Sequence, residues 1–120
     1  MLIPFDQGTP VPIRRALIGH AVKTAREQGW STLANGDLLR AAEEAGFELL
    51  LTTDTNFPYQ QSLQNRKLAV VILTRNKWNL VRTVLPKIVE AVNVAKPGTF
   101  TIVEVPQGHG AILLVWQRAR

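Results

Sequence analysis

The 120-residue sequence contains no cysteine, which excludes disulfides, thiolate metal sites and a thiol nucleophile. It has no apolar run near the roughly 18 residues that a membrane span needs. Its opening, "MLIPFDQGTP", has no basic segment and meets an acid at Asp6, so it does not read as a signal peptide. Repeats, low-complexity tracts and linkers are also missing. "QGHG" matches neither a P-loop nor a dinucleotide fingerprint. Ser31 and Ser62 lack a nucleophile-elbow context. His20 and His109 lie too far apart to suggest a zinc ligand pair. These absences leave a single cytoplasmic domain, residues 1–120, as the expectation.

What is present is an uneven charge. The net charge of +5 divides into five Lys/Arg against seven Asp/Glu over residues 1–60, and nine against two over residues 61–120. An acidic half joined to a basic half suits a cation-binding pocket beside a polyanion-binding face. A solvated surface with an accidental bias is the plain alternative.

The apolar pattern alternates between strand and helix. "LIPF" reads as a first strand in which Pro4 needs an edge-like or strand-end position. Pro10 or Pro12 opens a helix through Ile13, Leu17 and Ile18. "HAVKTA" reads as a second strand. "NGDLLRAAEEAG" is the clearest helix: Asn35 caps it, Asp37 lies in its first turn, Leu38, Leu39, Ala42 and Ala45 form its apolar face, and Gly46 stops it. "ELLLTT" and "LAVVILT" are continuous apolar strands, expected where both faces of a sheet are covered. Pro58 opens a short helix. Val81, Val84, Leu85, Ile88 and Val92 recur at helical spacing, with Pro86 either kinking that helix or opening a late one. "TFTIVEV" and "AILLVW" flank "PQGHG" as a closing antiparallel pair. The expected fold is a three-layer α/β/α sandwich around a mainly parallel sheet.

In such sheets functional groups gather beyond the carboxyl ends of the strands. Asp6 ends the first strand and Asp54, in "LLLTTDTNF", ends the third; Asp37 and Glu27 are candidates for the same edge. Carboxylates gathered around one cavity require a cation, and oxygen ligands suit Mg²⁺ or Mn²⁺. Such ions serve phosphodiester hydrolysis. Each acid also has a simpler role available: a turn at Asp6, an Asx-type turn at Asp54, a first-turn helix acid at Asp37, a surface charge at Glu27. Arg75 and Lys77, just beyond "VVILT", could hold a nucleic-acid backbone or be solvated loop charges. Trp78 could stack a base or pack on the core.

The segments "DQGTP", "HAVKTAREQGW", "NGDLLRAAEEAGF", "LLLTTDTNFPYQQSL" and "KLAVVILT" resemble the compact PIN-like domains related to VapC-type toxin ribonucleases, over roughly residues 2–95. The resemblance implies a Mg²⁺- or Mn²⁺-dependent nuclease that cuts single-stranded RNA. Asp6, Asp37 and Asp54 fall on the catalytic and metal-binding acids, with Thr52 as the hydroxyl neighbour of Asp54. Glu27 falls on a further acid, and Asn56 stands where many members carry one. Gln7 replaces a second acid after the first strand. An antitoxin protein partner and a homodimer are further expectations of the resemblance. Two other functions remain open: a degenerate PIN-like module that binds RNA or a protein partner, and a receiver-type phosphoacceptor at Asp54. Receiver domains, however, carry an acid pair where this chain has Asp6–Gln7.

Overall fold

In a computed structural model of the protein, residues 1–33, 35–56 and 66–107 are described. Five strands, β1 (Leu2–Phe5), β2 (Ala21–Thr24), β3 (Leu49–Thr52), β4 (Ala69–Leu73) and β5 (Phe100–Val103), form one sheet in the order β2-β1-β3-β4-β5. All pair in parallel. The antiparallel strand expected over residues 111–116, and the short helix at Pro58, lie outside the described residues; β5 itself runs parallel to β4.

The central strands are buried at every position, and apolar at all but Thr52, because the sheet is covered on both sides. Every residue of β3 and β4 is buried. On one face lies α2 (Asn35–Glu44), whose Leu38, Leu39 and Ala42 pack on Leu50, Val70 and Ile72. On the other lie a 3₁₀ turn (Val11–Ala16) and α4 (Leu85–Val94), which place Ile13, Ile88 and Val92 on Leu49, Leu51 and Val71. Period-2 alternation along each strand thus supplies both cores of a three-layer sandwich.

Several local expectations are refined. Pro86 lies in the first turn of α4, where its missing N–H has no helical partner to lose. A separate short helix, α3 (Trp78–Val81), precedes it through a 3₁₀ turn at Arg82–Val84. Ile18 is 88% exposed rather than core, because the 3₁₀ turn ends at Ala16. Ala45 is exposed, since α2 ends at Glu44 and Gly46 reverses the chain at φ 84°. The Asn35 cap falls outside what is described.

Pro4 is not at an edge: β1 lies between β2 and β3. Glu48 N–H donates to Leu2 O at 3.0 Å, and Asp6 N–H donates to Leu51 O at 2.9 Å. The even positions of β1 therefore face β3, and Pro4 falls between these two bonds with no N–H to give. The β1–β3 ladder is correspondingly registered only at Phe5↔Leu51, whereas β1–β2 runs over four pairs.

Among the described residues, no helix is long and apolar enough to cross a membrane.

Candidate active site

The strand order reverses between β1 and β3: the chain moves outward from β1 to β2, then returns to place β3 on the other side. A crevice at such a reversal, beyond the carboxyl ends of the strands, is where open parallel sheets bind ligands. Asp6 leaves β1 at one side of it. Asp54 leaves β3 at the other.

The backbone fixes Asp6. Its N–H is bonded to Leu51 O, and its carbonyl accepts from Thr9 N–H at 3.1 Å. The buried Thr9 Oγ1 also donates to Leu51 O at 3.3 Å, pinning the turn to β3. Gly8, at φ 89°, supplies the left-handed residue that this turn needs.

Thr52 joins the two acids. Its side chain is fully buried. Its Oγ1 donates to Asp6 Oδ2 at 2.6 Å and accepts from Asp54 N–H at 3.2 Å. Asp6 Oδ1 accepts from Gln7 N–H at 2.7 Å. Burial raises the Asp6 pKa above its ordinary value, and the negative charge of Asp54 pushes the same way; the Thr52 and Gln7 hydrogen bonds oppose them without prevailing. Among the described residues, Asp6 has no basic partner. Asp54 Oδ1 accepts from Asn56 N–H at 3.0 Å, which is the Asx-type turn its sequence suggests. Asp54 is therefore both a turn former and a neighbour of Asp6.

The other two acids have partners of their own. Asp37 is exposed on α2 and pairs with Arg40, three residues on, at 3.3 Å. Glu27 closes α1 (Ala25–Gln28) through a capping box. Its N–H donates to Thr24 Oγ1 at 3.0 Å, and its Oε1 accepts from Thr24 N–H at 2.8 Å. Arg14 pairs with the same carboxylate. Among the described residues, no three His, Asp or Glu side chains come together as a metal-holding group. The sequence-derived cluster thus reduces here to Asp6 and Asp54 with Thr52.

The Thr24 backbone bond, followed by Arg14, holds the Glu27 pKa down at about 2. Because the folded value lies below the ordinary 4.5, the stability that Glu27 contributes is present above that pH and is lost as pH falls toward 2. Glu27→Gln keeps an oxygen for Thr24 N–H. Thermal melts should show the small deficit of this variant relative to wild type closing between pH 4.5 and 2.

Basic and polar groups gather beside the acids. A cavity of about 530 Å³ is lined by Thr53, Thr55, Thr74, Arg75, Lys77 and Gln107, among others. Arg75 Nη1 donates to Val105 O at 2.9 Å, which fixes the guanidinium at its wall. Trp78 packs partly buried against the core, the structural one of its two expected roles. His20 Nδ1 lies 3.0 Å from the amino terminus and its Nε2 2.8 Å from Asn93 Oδ1; His109 lies outside the described residues.

The sequence reading missed the Thr24–Glu27 capping box, although Thr-x-x-Glu is its usual signature. It also missed Arg26, which lines a second cavity with Asp6; only the tertiary fold brings those two together. Compared with protein-family models, curated proteins and solved structures, the chain matches none.

Proposed function

We propose that this chain is a Mg²⁺- or Mn²⁺-dependent ribonuclease of PIN-like type that hydrolyses single-stranded RNA at the β1/β3 crevice. The observation that carries this reading is the meeting of Asp6 and Asp54 through the buried Thr52 hydroxyl, at the strand-order reversal and beside a basic cavity. The donor set fits such an ion. It consists of oxygens alone, and Mg²⁺ is commonly held by one or two carboxylates together with waters. Asp6, partly buried beside a like charge, is the kind of carboxylate that a cation relieves.

Asp6 and Asp54 would hold the ion, with the Asn56 amide adjacent and Thr52 orienting Asp6. When bound, the ion lowers the pKa of water and neutralises charge building on the phosphoryl group. In the net reaction a water oxygen joins phosphorus, the bond to the leaving ribose oxygen breaks, and that oxygen takes up a proton. Arg75 and Lys77 hold the RNA backbone, Arg75 from a position fixed by the Val105 carbonyl. Asp37 and Glu27, each paired with an arginine, stay outside the metal set, and an antitoxin or second copy of the chain would bind away from the crevice.

Purified protein incubated with end-labelled single-stranded RNA should produce internal cleavage in Mn²⁺ or Mg²⁺ and none in EDTA. RNA binding without cleavage in either metal would replace the nuclease with a binding module of the same fold.

A further inference from the structure

Two cavities open on the carboxyl edge; Asp6 lines one, and the residues on either side of Asp54 in sequence line the other. The larger is bordered by Thr53 and Thr55, the neighbours of Asp54, and carries Arg75 and Lys77. The smaller, about 180 Å³, is lined by Asp6, Gln7, Gly8, Thr24 and Arg26, among others. They meet at Gly8. A β-carbon there would lie 3.7 Å from Thr53 Oγ1 and 4.0 Å from Asn76 Nδ2, both of which line the larger cavity. The turn that walls the smaller cavity therefore abuts the larger one.

Each cavity carries a cation that no acid among the described residues neutralises. Lys77 is exposed and has no carboxylate partner among the described residues. Arg26 is exposed too, and the carboxylate next to it in sequence, Glu27, is engaged by Arg14 and the Thr24 backbone. A phosphate chain brought to two carboxylates meets like-charge repulsion. Cations on both flanks offset it on both sides of the reacting bond, whereas a pocket for a chain end needs them on one side only.

We propose that the two cavities form one groove that holds an extended RNA strand on both flanks of the bond to be cut. Arg26 grips a phosphate on one flank, and Lys77, beside Arg75, grips one on the other. The proposal rests on the nuclease reading and adds to it the path of the strand across both cavities and Arg26 as a binding residue.

The test measures RNA affinity by fluorescence anisotropy in Ca²⁺ and in EDTA, with strands of increasing length and increasing salt. It compares wild type, Arg26→Ala, Lys77→Ala and the double variant, alongside a cleavage assay in Mn²⁺. Affinity should rise with length beyond the mononucleotide. Each single variant should reduce the slope of log affinity against log salt by about 0.7, and the double variant by about 1.4, as expected for one single-strand phosphate contact each. Neutral methylphosphonate linkages on one flank should lose their effect in Arg26→Ala, and those on the opposite flank in Lys77→Ala. An unchanged slope in Arg26→Ala, or both variants acting on the same flank, would overturn the two-sided groove while metal-dependent cleavage left the nuclease standing. No binding at any length together with no cleavage would remove both.

Discussion

Asp54→Asn is expected to lower metal-dependent RNA cleavage by about 10²–10³-fold, the loss typical when one preorganised charge-stabilising group is removed. An amide oxygen at this position can still accept the Asn56 N–H that Asp54 Oδ1 accepts. What changes is charge. Asp54 raises the Asp6 pKa, although less than burial does, so the variant should bring Asp6 part of the way back toward its ordinary value. Carbon-detected NMR titration of the Asp6 carboxyl checks this without reference to activity.

The same pair sets a pH dependence. The folded-state pKa of Asp6 lies above its ordinary 3.8, so in this window the native chain holds a proton that the unfolded chain has released. Stability therefore falls as pH rises from 3.8 through the raised value, and the deficit persists at neutral pH. On the proposed reading, a divalent ion on Asp6 and Asp54 would oppose that deficit. Mn²⁺ at a hundredfold excess over its dissociation constant would stabilise the fold by about 2.7 kcal/mol. Thermal melts should show this gain at neutral pH in the wild type, its disappearance as Asp6 protonates, and a much smaller gain in Asp54→Asn. An equal gain in both proteins would place the ion elsewhere.

The reach of sequence reasoning followed the range of the forces involved. β3 and β4 were legible because a strand covered on both faces is a nearly continuous apolar run, and Leu49–Thr52 and Ala69–Leu73 are buried throughout. The approach of Asp54 to Asp6 followed from the expectation that both close strands of one parallel sheet. The position of Asp37 was less accessible, because the helix dipole and an i,i+3 arginine account for a first-turn acid without any distant partner. Glu27 was legible in principle. Taking "HAVKTA" as strand through Ala25 concealed Thr24 as a cap, and with it the reason for an acid three residues later. Arg26 was not accessible at all, since its nearness to Asp6 depends on β2 pairing in register with β1, Phe5 against Thr24. Pro4 shows the opposite limit: a residue that argues against an inner strand is accommodated where the ladder can forgo one bond.

Thr52→Val tests how the two acids are held together. Valine matches threonine in shape but neither donates nor accepts, so Asp6 Oδ2 and Asp54 N–H both lose a partner at a position with no exposure to water. A hydrogen bond to a charged group is worth about 1.5–3 kcal/mol, so denaturant unfolding at neutral pH should show destabilisation of about 2 kcal/mol. The Thr52 bond favours the ionised form of Asp6. Without it the Asp6 pKa rises further, and the acid limb of the cleavage profile should move to higher pH. Thr52→Ser restores the hydroxyl while removing one methyl group, a loss of about 0.8 kcal/mol. It should therefore return the pH profile to that of the wild type even though stability does not fully recover. That separation distinguishes a residue that positions Asp6 from one that only fills the core: if valine and serine shift the profile equally, the hydroxyl bond to Asp6 does not set the chemistry.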